Sequence, residues 1–304
     1  MVDTNFDRDT AVRRRPDPDA AASANGSLTA AAAGPGATGL TAATGLAAAT
    51  STALFDAEVS PDWRAGRGPH GGYLAAMILR ALIETVAETA RAPRSLTIHY
   101  ARAPEPGPVE IRTVVERAGR SLSTLSARME QDGKLMALAL AAFSVPWSAP
   151  EISDLPLPDV EPPQPRGPEP RPPHPEAPPF TRHMEFQPRL GTRPFTGAEA
   201  PMEIGGWLAL AEPRAIDAPA LAFFSDALFS PPFVRLREPA VTPTIDLTIH
   251  FRASAAVPLE GPCFARFRST VLREGFFEED GVIWAPDGTV LLHSRQLAIV
   301  LALG

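Results

Sequence analysis

The chain of 304 residues holds one cysteine, Cys263, and is poor in positive charge. A lone thiol excludes an internal disulfide framework and a cysteine-based zinc site. It also fits a reducing compartment. Lys and Arg number 28 against 35 acidic residues, a formal net charge of −7. Phosphate contacts need clustered cations, so this balance argues against nucleic acid as a partner. Nothing reads as a signal peptide or a membrane span. Asp3, Asp7 and Asp9 precede any apolar run, and the uncharged stretch 21–55 is mostly Ala, Gly and Thr, broken by Gly-Pro-Gly at 34–36. The expectation is a cytoplasmic protein without a membrane span. No Gly-x-Ser-x-Gly elbow occurs, which disfavours a serine hydrolase.

Proline, in contrast, is abundant, and it is uneven. Thirteen of the 35 prolines fall between Pro150 and Pro179. Such a stretch favours extended polyproline II and cannot supply ladder donors, so it reads as a linker. Residues 1–50 have too few large apolar side chains to offset ordering entropy and are expected to form a disordered tail. The domains expected are therefore this tail, a folded unit over 51–148, the Pro-rich linker over 149–201, and a second folded unit over 202–304.

The two folded units resemble each other. Leu96-Thr97-Ile98-His99-Tyr100 returns as Leu247-Thr248-Ile249-His250-Phe251 at an offset of 151, and Asp132-Gly133 returns as Asp287-Gly288 at 155. This is an internal duplication. In each unit a helix comes first, opened by Gly71-Gly72 and running to Ala90, or running from Pro219 to Phe229. Four strand-like runs follow, near 95–102, 108–118, 121–130 and 134–145, and again near 244–252, 262–273, 278–285 and 289–301. One buried helix with an antiparallel sheet, repeated, implies an α+β fold in which each sheet wraps its own helix.

Three polar residues sit where the second unit's core pattern expects apolar ones. Asp226 lies among Leu221, Phe223, Phe224, Leu228 and Phe229, Thr244 opens a strand, and Gln296 interrupts the apolar last strand. A carboxylate in such surroundings is costly to bury unless it is paired or used. By the offsets, the first unit has Pro93 opposite Thr244 and Ala141 opposite Gln296, and Arg80 stands near the place of Asp226. Taken singly, each member has an ordinary explanation: a paired or solvated Asp, a Thr with strand propensity, a Gln pointing outward. Their joint occurrence in one unit shifts the balance. His99 and His250 occupy equivalent strand positions without clustered carboxylates, and no metal site is expected.

The chain resembles TesB-type acyl-CoA thioesterases of the double-hotdog superfamily. The resemblance lies in Gly68-Pro69-His70-Gly71-Gly72-Tyr73-Leu74-Ala75-Ala76, Arg117-Ala118-Gly119-Arg120-Ser121 and Gln131-Asp132-Gly133-Lys134 of the first unit. In the second it lies in Ser225-Asp226-Ala227-Leu228, Pro243-Thr244-Ile245-Asp246 and Ser294-Arg295-Gln296. It implies a double hotdog that hydrolyses acyl-CoA without cofactor or metal, and a possible homodimer of such chains. Asp226 on the second helix, Thr244 and Gln296 would position the hydrolytic water. Gly71 and Gly72, at the N-terminus of the first helix, would polarise the thioester oxygen. Two alternatives differ in class. A 2-enoyl-CoA hydratase would need a His a few residues from the Asp on a loop leading into one helix, and none follows Asp226. A silent acyl-CoA binder would have no reason to keep an Asp in an apolar helix. The Pro-rich segment could in addition serve as a polyproline ligand for a partner.

Overall fold

The computed structural model describes residues 4–16, 51–167, 177–253 and 261–302. After a short helix α1 (Asn5–Asp9) and a short strand β1 (Arg13–Arg14), the first unit runs β2 (Thr52–Val59), α2 (Gly71–Val86), β3 (Ala92–Tyr100), β4 (Gly107–Ala118), β5 (Leu122–Gln131) and β6 (Lys134–Ser144). The second runs β7 (Met184–Gly191), β8 (Glu203–Leu210), α3 (Ala218–Phe224), β9 (Thr244–Phe251), β10 (Cys263–Arg268), β11 (Phe276–Trp284) and β12 (Val290–Ile299). All these strands join one antiparallel sheet in the order β1-β2-β4-β5-β6-β3-β9-β12-β11-β10-β8-β7. The order is a palindrome about the β3–β9 junction, apart from the terminal strands.

That junction is where the duplication meets itself. In β3 and β9 the repeated segments pair antiparallel, with Leu96 opposite Ile249, Thr97 opposite Thr248 and Ile98 opposite Leu247. The Thr97 and Thr248 hydroxyls, equivalent residues of the two repeats, lie 3.1 Å apart. A pseudo-twofold axis therefore passes through this pair.

Helix α2 is buried along most of its length because its first ten residues are apolar or small apart from Arg80. It touches all five strands of its own unit and packs on α3. The Ala87 cap, at φ 50°, ends it earlier than the expected Ala90. Helix α3 starts at the Asp217 cap, whose carboxylate accepts from Ala220 N–H at 3.0 Å. It ends at Phe224, five residues short of the expected end. The Ser225 hydroxyl donates back to Ala222 O at 2.8 Å, a local bond that competes with helix continuation.

Two parts of the expected domain plan need correction. Residues 4–16, assigned to a disordered tail, are structured; residues 17–50 of that tail lie outside the described residues. Phe6 is buried against Trp63 and Phe223, with ring centroids at 5.8 and 5.9 Å. The Arg80 and Arg214 guanidiniums lie over its ring at 5.6 and 5.3 Å. Asp7 bridges the same two arginines at 2.9 and 3.1 Å, one from each unit. Against the raising effect of partial burial, the Thr4 hydroxyl and these guanidiniums hold its carboxyl below the usual value. One aromatic ring between two cations anchors a segment that composition alone marks as unstructured. Phe6→Ala is expected to lower stability by about 3–5 kcal/mol, the range for truncating a buried aromatic, read as a fall in Tm.

The Pro-rich stretch, too, is more than a connector. Leu155, Leu157 and Val160 pack on Trp207, Phe264 and Trp284, a row of aromatics across β8, β10 and β11. The two indole N–H groups donate to Glu161 O at 2.9 Å and Leu155 O at 3.2 Å. A proline-rich backbone has few donors but free carbonyls, which is what buried indoles require. Strand β7 also falls inside the range assigned to the linker. Residues 168–176 lie outside the described residues.

Candidate active site

The site forms where the N-terminus of α2 meets the C-terminal end of α3. His70 caps α2 by accepting the Tyr73 N–H at Nδ1, 3.2 Å away. That leaves the proton on Nε2, which donates to Asp226 O at 2.8 Å. Burial pushes the His70 imidazole below its usual value despite Asp226, so it stays neutral. The Tyr100 hydroxyl, at the end of β3, donates to Gly71 O at 2.9 Å. Burial, and then the nearby Asp226, push that phenol well above its ordinary value.

Asp226 stands just past the α3 cap, in a turn rather than on the helix as the resemblance implied. Its backbone N–H donates to Phe223 O at 3.3 Å. The side chain is 15% exposed, open enough for water to reach. Oδ2 accepts the Gly72 N–H at 2.9 Å, and Oδ1 accepts from Gln296 Nε2 at 3.4 Å.

Thr244 and Gln296 come from the adjacent strands β9 and β12. Leu247, Ile249 and Phe251 face the core, and strict alternation would turn Thr244 outward. The register shifts between Thr244 and Asp246, and this irregularity re-aims the threonine inward. Its hydroxyl donates to Gln296 Oε1 at 2.7 Å. Gln296 is buried, and its Nε2 also donates to Glu279 Oε1 at 2.7 Å. Glu279, on β11, is 3% exposed. Burial, then Asp226, push its carboxyl up to about 8, with Gln296 opposing and Asp280 adding to the rise.

All five residues singled out in the sequence thus meet at one place: Asp226, Thr244, Gln296, Gly71 and Gly72. One pairing differs from expectation. The Gly72 N–H does not stand free for a thioester oxygen; it holds Asp226. A helix N-terminus takes the nearest anion, and here that anion is the carboxylate of the sister unit. Both glycines are needed for this approach. A Cβ on Gly71 would lie 2.8 Å from Asp226 Oδ2, and one on Gly72 only 2.5 Å from Phe223 O.

Three further residues escaped the sequence reading. His70 lies within a segment that carries the resemblance and Tyr100 ends the repeated segment Leu96–Tyr100, but a capping His and a strand Tyr have no distinguishing pattern. Glu279 is hidden in Glu278-Glu279-Asp280, which reads as a solvated run. Its signal is alternation, which puts Glu279 on the buried face of β11 with Phe277 and Ile283; across the sheet it pairs with Gln296, where the sister strands pair Leu125 with Ala141.

Comparison with known proteins agrees with this architecture. Family models for the acyl-CoA thioesterase N-terminal and C-terminal domains match residues 59–144 and 158–300, one on each unit and together most of the chain. The uncharacterized protein Rv0499 of Mycobacterium tuberculosis is 24% identical over 272 residues, covering 82% of this chain and 91% of its own. A conserved protein of unknown function with hot dog fold from Alicyclobacillus acidocaldarius superposes with a TM-score of 0.73 at 25% identity, over 83% of this chain and 94% of the other. The acyl-CoA thioesterase II TesB2 of Mycobacterium marinum superposes with a TM-score of 0.62 at 17% identity, over 82% and 93%, a likeness of fold. The fold is a double hotdog. The chain belongs to the acyl-CoA thioesterase family, TesB-type in its resemblance. No helix among the described residues is long and apolar enough to cross a membrane.

Proposed function

We propose that the protein hydrolyses fatty acyl-CoA to a free fatty acid and coenzyme A, with Asp226, Thr244 and Gln296 holding the attacking water. The observation that carries this reading is the meeting of the three side chains, drawn from a helix end and two strands, against the N-terminus of the other unit's helix. A thioester carbonyl is already activated because sulfur overlaps poorly with it, so a held water suffices as nucleophile.

The hydrogen bonds support one division of roles. Thr244 donates its proton to Gln296 Oε1, so its oxygen lone pairs are left to accept from water. Gln296 Nε2 leans on Asp226 Oδ1, and Gly72 N–H fixes Oδ2. Water donating one hydrogen to Asp226 Oδ1 and the other to Thr244 Oγ1 turns its lone pair toward the thioester carbon. Asp226 takes the proton as the C–O bond forms. Collapse of the tetrahedral intermediate breaks the C–S bond, and the departing thiolate receives that proton. With Gly72 engaged, Gly71 N–H, at the first position of α2, is the donor assigned to the developing oxyanion, helped by the positive end of the helix.

His70 does not favour the hydratase alternative, although its Nε2 is 3.6 Å from Asp226 Oδ2. It is buried and both ring nitrogens are engaged, so it acts as a cap. The reading includes the cytoplasm as compartment and a homodimer as working unit. The test is release of coenzyme A from acyl-CoAs of several chain lengths, followed with a thiol reagent. Thr244→Val keeps shape but removes the water acceptor. It is expected to lower kcat by about 10-fold or more with KM little changed, the mark of a group that acts in the transition state. Tight binding of acyl-CoA without release of thiol would favour the silent binder instead.

A further inference from the structure

We propose that Glu279 is a positioning residue of this site: paired with Gln296 across β11 and β12, its carboxyl group fixes the Gln296 amide and, through it, the Thr244 hydroxyl and Asp226. The inference rests on the thioesterase reading and extends it by one residue.

The duplication supplies an internal control. At one register position the first unit pairs Leu125 with Ala141, and the second pairs Glu279 with Gln296. Leu125 and Ala141 are buried, so a sheet of this shape accommodates an apolar pair there. The second unit instead carries two polar side chains, both nearly inaccessible and bonded to each other at 2.7 Å. Burying such a pair confers no packing advantage over the sister's apolar one.

The hydrogen-bond inventory shows what the pair does. A glutamine amide has one acceptor oxygen and two N–H donors, and either end can face a hydroxyl. Gln296 works as drawn only if Oε1 faces Thr244 and Nε2 faces Asp226. Glu279 Oε1 accepts from Nε2, which fixes that orientation. With Leu in its place one amide N–H would be left buried and unpaired, and the amide could turn over.

The charges acting on Glu279 are Asp226, from the end of α3, and Asp280 on its own strand. On the β12 side stands the neutral Gln296, and the last paired residue of β10, Arg268, lies opposite Asp280 rather than Glu279. Burial and these two anions keep the carboxyl protonated at neutral pH. As pH rises through about 8, Glu279 ionises. A second negative charge beside Asp226 opposes the oxyanion that develops on the thioester, so turnover should fall.

The test compares wild type, Glu279→Leu, Glu279→Gln and Asp226→Asn by thiol release between pH 6 and 10, with thermal unfolding of each. Glu279→Leu, which restores the sister residue, should lower kcat by about 10- to 100-fold with KM within about threefold. Glu279→Gln, the neutral analogue, should keep kcat within about threefold of wild type at pH 7 and lose the alkaline decline. Unchanged kcat in Glu279→Leu overturns the proposal. So does a Gln variant that is as impaired as Leu or that retains the decline. If the Leu variant does not fold, the pH profile of the Gln variant decides. A fully active Asp226→Asn would instead overturn the reading of the site itself, whatever Glu279 does.

Discussion

Asp226→Asn is expected to lower kcat for coenzyme A release by at least ~100-fold, the usual scale for removing a general base, while Tm stays near that of wild type. The substitution keeps the side chain's size and leaves an amide oxygen able to accept the Gly72 N–H. The site is partly open to solvent, so no fully buried charge is traded for an unpaired dipole. What is lost is the capacity to take a proton from water. The amide nitrogen would also confront Gln296 Nε2, donor against donor, at the 3.4 Å contact. Steady-state kinetics with a thiol reagent, beside a thermal melt, separate the two effects. Equal hydrolysis by mutant and wild type would remove Asp226 from the mechanism.

Gly72→Ala should damage fold and activity together. The added methyl would sit 2.5 Å from Phe223 O and 3.0 Å from His70 Cε1. The first of these is backbone, so the last turn of α3 must move away from α2. Phe223 O accepts the Asp226 N–H, and Asp226 would move with it. Overpacking of a tight core contact costs about 1–3 kcal/mol, which should appear as a lower Tm. The residual activity well below Tm should still be at least ~10-fold reduced, because a small displacement of a base is costly. Gly71→Ala offers the contrast. Its methyl meets the Asp226 carboxylate tip at 2.8 Å, a movable side chain, and Tyr100 at 3.5 Å. Stability should fall less there, while activity still drops. A Gly72→Ala protein with wild-type Tm and turnover would show that the helices can part without consequence for the site.

Much of this was readable in the sequence because duplication makes the chain its own reference. Leu-Thr-Ile-His repeated at a fixed offset marks the two strands that later pair with each other. The two offsets, 151 and 155, expose Thr244 and Gln296 as departures from Pro93 and Ala141. Asp226 stands out by being charged among phenylalanines. What periodicity could not show is direction. The Gly72 N–H turned out to grip Asp226, a contact between units that no local pattern encodes. Glu279 was concealed because three acidic residues in a row read as a solvent-facing strand, although alternation buries the middle one. Composition marks the N-terminal segment as unstructured for a related reason. Composition averages over a window, while Phe6 is held by two arginines far away in sequence. The Pro-rich stretch reads as a linker from its composition, which carries no trace of the two indoles, from β8 and β11, that donate to its carbonyls.

The symmetry about Thr97 and Thr248 also sets how many reaction centres a chain can have. Two identical copies joined across such a seam would own a pair of equivalent grooves, each constrained to match the other. Here the mirror location is occupied by Leu125, Ala141 and Pro93, which can neither hold a water nor move a proton. Under the proposed mechanism the first half contributes the N-terminus of α2, with the Gly71 and Gly72 N–H groups, to a site whose water-holding side chains all come from the second. A chain of this kind should therefore carry a single workplace, built jointly by two partners that no longer have the same job.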